Sequence, residues 1–122
     1  MPEDVRRFLL HAVPSVPHLE ALLLLRGEPD RSYPRETLAA LLYLSPQKVE
    51  AIADELVRLG LAGPSGSDAW IYRPESDEKR QTVDRLAEYY RLNVVRVSQL
   101  LHAKPDRHVL EFSDVFRLRK DR

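Results

Sequence analysis

Leu38-Ala39-Ala40-Leu41-Leu42-Tyr43-Leu44-Ser45-Pro46-Gln47-Lys48-Val49, followed by Ile52, Leu56 and Leu59-Gly60-Leu61, is the stretch on which the reading of this chain turns. Serine accepts hydrogen bonds from exposed backbone N–H groups, and proline is tolerated in a first helical turn. Ser45-Pro46 therefore marks the start of a helix. Val49, Ile52, Ala53, Leu56 and Leu59 recur at three- and four-residue spacing and give that helix one apolar face, which Gly60 terminates. Upstream, Leu38, Leu41 and Leu42 supply the buried face of a shorter helix, with Pro34 in its first turn and Tyr43 and Leu44 at its end. Two helices joined by a tight turn follow.

Working outward, Val16 to Arg26 is helical in pattern, with Ser15 as its cap and Gly27 as its stop. It is nearly all leucine, which places it centrally. Before it, Glu3 to Val13 carries Val5, Phe8, Leu9 and Ala12 on one stripe and ends at Pro14; after it, Glu28 to Ser32 is a polar turn. Downstream, Leu61 to Gly63 and Ala69 to Arg73 read as two short strands around the hairpin turn Pro64 to Asp68, and Trp70 and Tyr72 alternate with Ile71 as in a half-buried strand. Ser76 caps the longest helical pattern, which runs to about His102 without Gly or Pro; its stripe is Val83, Leu86, Tyr90, Val94, Val97 and Leu101. Lys104 to Arg107 interrupts it. A last short helix is expected, apolar at Leu110, Val115, Phe116 and Leu118, and basic at Arg117, Arg119, Lys120 and Arg122. The divisions are an N-terminal helix over 1–14, a helix-turn-helix unit with a hairpin over 15–74, and a helical arm over 75–122. The fold class is mainly α with a small β-hairpin.

Nineteen basic and nineteen acidic side chains cancel, so no global field draws the molecule to phosphates, and any nucleic-acid contact must come from a local patch. The absence of cysteine excludes disulfides, thiolate nucleophiles and thiolate metal sites. The apolar run Ala21 to Leu25 is too short to span a bilayer and no signal peptide opens the chain, so the expectation is a cytoplasmic protein without a membrane partner.

Helix, short helix, tight turn, helix and hairpin, in that order, form a helix-turn-helix with a wing. The quoted residues resemble the winged helix-turn-helix of bacterial transcription regulators of the MarR and related families over roughly Val16 to Arg73. The points of likeness are a small residue at the helix crossing (Ala39 or Ala40), a leucine before the turn, Ser-Pro opening the second helix and a terminal Gly-Leu. The resemblance implies binding of double-stranded DNA, with the exposed residues early in the second helix reading base edges. These are Ser45, Gln47, Lys48, Ala51 and Asp54. Gln47 suits adenine, Lys48 suits guanine or a phosphate, and Ala51 offers a methyl contact. Arg26, Arg31 and Arg35, around the turn into the shorter helix, would hold phosphates. The resemblance also implies a homodimer whose outer helices pair across a twofold axis, the stripe Val83, Leu86, Tyr90, Val94, Val97 and Leu101 being the pairing surface. The other use of that stripe is packing on its own domain, against Phe8 and Leu9.

Several departures favour a second class, a winged-helix module that binds a protein partner instead of DNA. Between Ser45 and Leu59, Lys48 and Arg58 face Glu50, Asp54 and Glu55, so the helix is net negative, and the turn Pro64 to Asp68 holds no Lys or Arg. Tyr43 stands where glycine is common in the turn; it offers a ring for stacking but reads first as a packed side chain. Enzyme readings find little support. The set His102, Asp106, His108 and Glu111 matches no standard zinc spacing, and no phosphate loop or nucleophile elbow is present. Nothing in the pattern calls for a cofactor.

Overall fold

A computed structural model of the protein describes residues 1–103. The expected last helix, the basic run Arg117 to Arg122, and Asp106, His108 and Glu111 of the imagined metal set lie outside the described residues. Six helices and a three-stranded antiparallel sheet are seen: α1 (Glu3–His11), α2 (Val16–Gly27), β1 (Tyr33–Pro34), α3 (Arg35–Leu42), α4 (Pro46–Arg58), β2 (Ala62–Pro64), β3 (Ala69–Tyr72), α5 (Asp77–Leu92) and α6 (Val94–Ala103).

Three helices begin with the same device. The hydroxyls of Ser15, Ser45 and Ser76 accept hydrogen bonds from the backbone N–H groups of His18, Lys48 and Lys79, at 3.4, 3.1 and 3.1 Å. Each such cap satisfies one orphan donor and contributes about 1 kcal/mol.

Two apolar clusters form the core, and α2 serves both. Its Ala21, Leu22 and Leu25 join Tyr33, Leu38, Val49, Ile52, Leu56, Leu61 and Trp70 beneath the helix-turn-helix and sheet. Its Leu19 joins Val5, Leu9, Val13, Leu86, Val97 and Leu101, where α1 and α2 meet α5 and α6. At about 1.5–3 kcal/mol for each fully buried aliphatic side chain, a helix shared by two clusters has little freedom to move.

Four expectations change. The pattern from Ser76 to His102 is not one helix, because it breaks at Asn93, whose φ of −139° and ψ of 45° leave the helical region and whose side-chain amide donates to the Tyr89 carbonyl at 3.0 Å. That local bond offers the chain an exit which periodicity does not reveal. The break folds the stripe back on its own subunit. Val83, Leu86, Val97 and Leu101 are buried within the single chain, Tyr90 is half-buried, and only Val94 is exposed, so the stripe is not a free pairing surface. Leu41 is 47% exposed, and α3 instead buries Ala39 beside Leu38. Finally, the hairpin gains a third strand. Tyr33 pairs with Trp70 and Pro34 with Ala69, placing Pro34 in extended conformation just before α3 rather than within its first turn. β2 pairs with the other edge of β3, Ala62 with Tyr72 and Pro64 with Trp70. Pro64, without an N–H, sits on an edge strand as its chemistry requires.

Candidate nucleic-acid interface

The outer surface of α4 is set by its inner one. With Val49, Ile52, Ala53 and Leu56 buried, the helical period turns Gln47, Lys48, Glu50, Ala51 and Asp54 to solvent. Ser45 is exposed, with its oxygen committed to the Lys48 N–H. The structure thus places the predicted base-reading residues along one exposed face, with Ser45, Gln47 and Lys48 at the N-terminal end of α4 and Ala51 and Asp54 beyond them. Glu50 lies among them, between Lys48 and Ala51.

The turn before α4 is closed by backbone bonds from Tyr43 N–H to Ala40 at 3.4 Å and from Leu44 N–H to Ala39 at 3.0 Å. This geometry requires a left-handed residue, usually glycine. Here the residue is Tyr43, with φ 57° and ψ 42°, the one non-glycine residue of positive φ among the described residues. The conformation costs about 1–2 kcal/mol in an L residue with a Cβ. Tyr43 is 93% exposed, which corrects the expectation of a packed ring. Leu44 points inward in its place.

The three arginines assigned to phosphates are each engaged. Arg26 is turned to α5, where its Nε donates to Asp84 at 3.0 Å. Arg31 binds Glu28 at 2.7 Å and lies over the Tyr33 ring, 4.5 Å from its centroid. The Arg31 bond, with a second from the Tyr33 hydroxyl, holds the Glu28 carboxyl below its usual range, while burial raises the Tyr33 phenol. Arg35 ties the wing to α3: its N–H donates to the Asp68 carbonyl at 2.9 Å, and its guanidinium lies 3.0 Å from Glu36 and 3.8 Å from the Asp68 carboxylate. Glu36 foremost, then Asp68 and Glu50, raise the Arg35 pKa further.

Among the described residues, Lys48, Arg73 and Arg96 are the cations without a carboxylate partner. Arg73 was not singled out from the sequence, where it looks like the end of a strand. It follows β3 at the base of the wing, and a methyl group placed on Gly63 would meet its guanidinium at 2.5 Å. The glycine lets the arginine lie along β2. A basic residue closing a hairpin opposite a glycine is the signal that would have found it.

The other end of α4 is anchored. Lys79 Nζ, from the first turn of α5, donates to the Leu59 carbonyl at 2.6 Å and pairs with Glu75 at 2.5 Å; the Glu75 N–H donates to Gly60 at 2.9 Å. Gly60 takes φ 75°, which glycine adopts without strain.

No family model matches this chain, and no curated protein matches it either. Solved structures do. A MarR family transcriptional regulator from Streptomyces coelicolor superposes with a TM-score of 0.53 over 94% of this chain and 85% of its own, at 21% identity. One from Silicibacter pomeroyi gives 0.51 over 97% and 80%, also at 21% identity. A protein of Mycobacterium tuberculosis gives 0.50 over 94% and 83%, at 16% identity. The chain therefore has the winged-helix fold of MarR family structures, and the likeness extends through α5 and α6, beyond the part the sequence resemblance covered. No group of His, Asp or Glu able to hold a metal ion occurs among the described residues, and no single helix there is long and apolar enough to cross a membrane.

Proposed function

We propose that this protein is a DNA-binding transcription regulator of winged-helix type, a non-enzymatic protein acting on double-stranded DNA as a homodimer in the cytoplasm. The observation that carries the reading is the N-terminal end of α4. Ser45 caps it, Gln47 and Lys48 are exposed on it, and Lys48 has no carboxylate partner in the described chain. An unpaired ammonium beside an exposed amide is the chemistry that contacts a base edge or a phosphate in the major groove. Ala51 extends the face by a methyl.

Arg73 would hold the backbone from the base of the wing. Arg31 and Arg35 would add phosphate contacts through donors their carboxylates leave unused, since a guanidinium has five. Arg26, bound on α5, is the least suited of the sequence candidates. Residues 15–74 would read DNA, while α1 and residues 75–122 would assemble the dimer. The pairing surface we favour is the corner at Asn93, where Leu92, Val94 and Val95 are exposed together around an open groove of about 620 Å³. Of the earlier stripe, Tyr90 and Val94 remain available to it.

The test is a fluorescence-anisotropy titration with random-sequence duplex DNA at low and moderate salt, on protein of measured solution mass. Binding in the micromolar range by a dimer, weakening steeply with salt, is expected. Absence of binding at low salt would favour the protein-partner module, for which Glu50 and Asp54 are the exposed acidic surface.

A further inference from the structure

The turn ahead of α4 holds a side chain that the fold does not use. The Tyr43 ring makes no hydrogen bond or ring contact in the described chain, is 93% exposed, and occupies a backbone conformation that glycine adopts more readily. It is more exposed than any other large apolar side chain described, and Leu41, in the last turn of α3 two residues before it, is exposed as well. Packing is thus no reason for a tyrosine here.

We propose that Tyr43 is a DNA-backbone contact, its ring lying against a deoxyribose and its hydroxyl donating to a phosphate oxygen, at the leading edge of the surface that carries Ser45, Gln47 and Lys48. The inference rests on the DNA reading above and adds a residue to it. Placement supports it, because Tyr43 stands two residues before the Ser45 cap, at the end of α4 where Lys48 has no carboxylate partner. Chemistry supports it as well. Glu50 and Asp54 repel phosphates along α4, which favours backbone contacts ahead of its N-terminal end, where a neutral hydroxyl adds a donor without adding charge. A tyrosine also brings a broad, stiff surface with few torsions to order on binding. A backbone contact predicts an effect that does not depend on DNA sequence.

The test compares wild type, Tyr43→Asn and Tyr43→Phe by thermal melting and by anisotropy with random-sequence duplex DNA across a salt series. Asparagine keeps the left-handed turn without the ring, and phenylalanine keeps the ring without the hydroxyl. Expected results are unchanged melting for Phe and unchanged or slightly raised melting for Asn, which suits the left-handed turn better, affinity about fivefold lower for Asn and about twofold lower for Phe, and an unaltered slope of log affinity against log salt, since no charge is removed. Equal affinity of wild type and Tyr43→Asn would overturn the inference and leave the DNA reading standing. Weakened binding accompanied by a lowered melting temperature would overturn it too, by making Tyr43 structural. A wild type that binds no DNA at low salt would remove both.

Discussion

At its C-terminal end α4 is gripped from two directions, by the Lys79 ammonium on the Leu59 carbonyl and by the Glu75 N–H on Gly60, both reaching across from the segment that opens α5. At its N-terminal end the helix has the Ser45 cap and little else: Gln47 and Lys48 are exposed, and the turn before them carries a strained, uncovered tyrosine. The anchored end has its polar groups satisfied within the chain, whereas the leading end leaves donors and an aromatic ring available to something outside it. The difference teaches that stability and recognition are separated along one helix of 13 residues.

The largest effect that sharpens this contrast is at Lys48. Lys48→Glu is expected to lower affinity for random duplex DNA about ten- to thirtyfold at low salt and to flatten the salt slope by about one, with the melting curve unmoved. Anisotropy across a salt series reads it. Gly60→Ala should do the reverse. The left-handed φ of 75° strains any Cβ, and the added methyl presses on the Glu75 carboxylate, so urea unfolding should show a loss of about 1–2 kcal/mol while folded protein binds DNA within about twofold of wild type.

How much of this was legible in the sequence follows from the range over which each signal acts. The serine caps act over three residues, so Ser15, Ser45 and Ser76 and the helices they open could be read directly. The inner face of α4 and the alternation of Trp70, Ile71 and Tyr72 are periodic and equally open to reading. Long-range ion pairs are not, because Arg26 meets Asp84 only after the chain has folded α2 against α5, and Arg35 meets Asp68 only once the wing is in place. The arginine cluster therefore looked free when it was not. β1 has the same origin, being two residues whose strand character comes from pairing with β3. The break at Asn93 was hidden inside an unbroken apolar stripe. Tyr43 was misplaced because its neighbours Leu42 and Leu44 are apolar, while the turn geometry that expels its ring is set by the backbone.

Smaller effects probe the edges of the comparison. Asp68→Asn removes one of the carboxylates on Arg35 and one negative charge from the wing, so DNA affinity should rise about two- to threefold; an unchanged value would show that Arg35 contributes nothing at the interface. The least effect concerns the docking of α1. Asp4 binds Arg85 at 2.5 Å, which holds its carboxyl below the ordinary value, so the contribution is present above that ordinary value and fades as pH falls through the lowered one. The protection of α1 amides relative to their intrinsic exchange should accordingly fall only in acid, below the ordinary carboxylate range, and an Asp4→Asn variant should lose that dependence.

The central claim is that the leading end of α4 faces outward to DNA and the anchored end does not. Chemical-shift mapping of isotope-labelled protein titrated with duplex DNA tests it most directly. The account predicts shifts gathered at Tyr43, Gln47, Lys48, Ala51 and Arg73, with Leu59, Gly60, Glu75 and Lys79 unmoved. Shifts centred on Leu59, Gly60, Glu75 and Lys79 with Gln47 and Lys48 unmoved, or none anywhere at low salt, would contradict it.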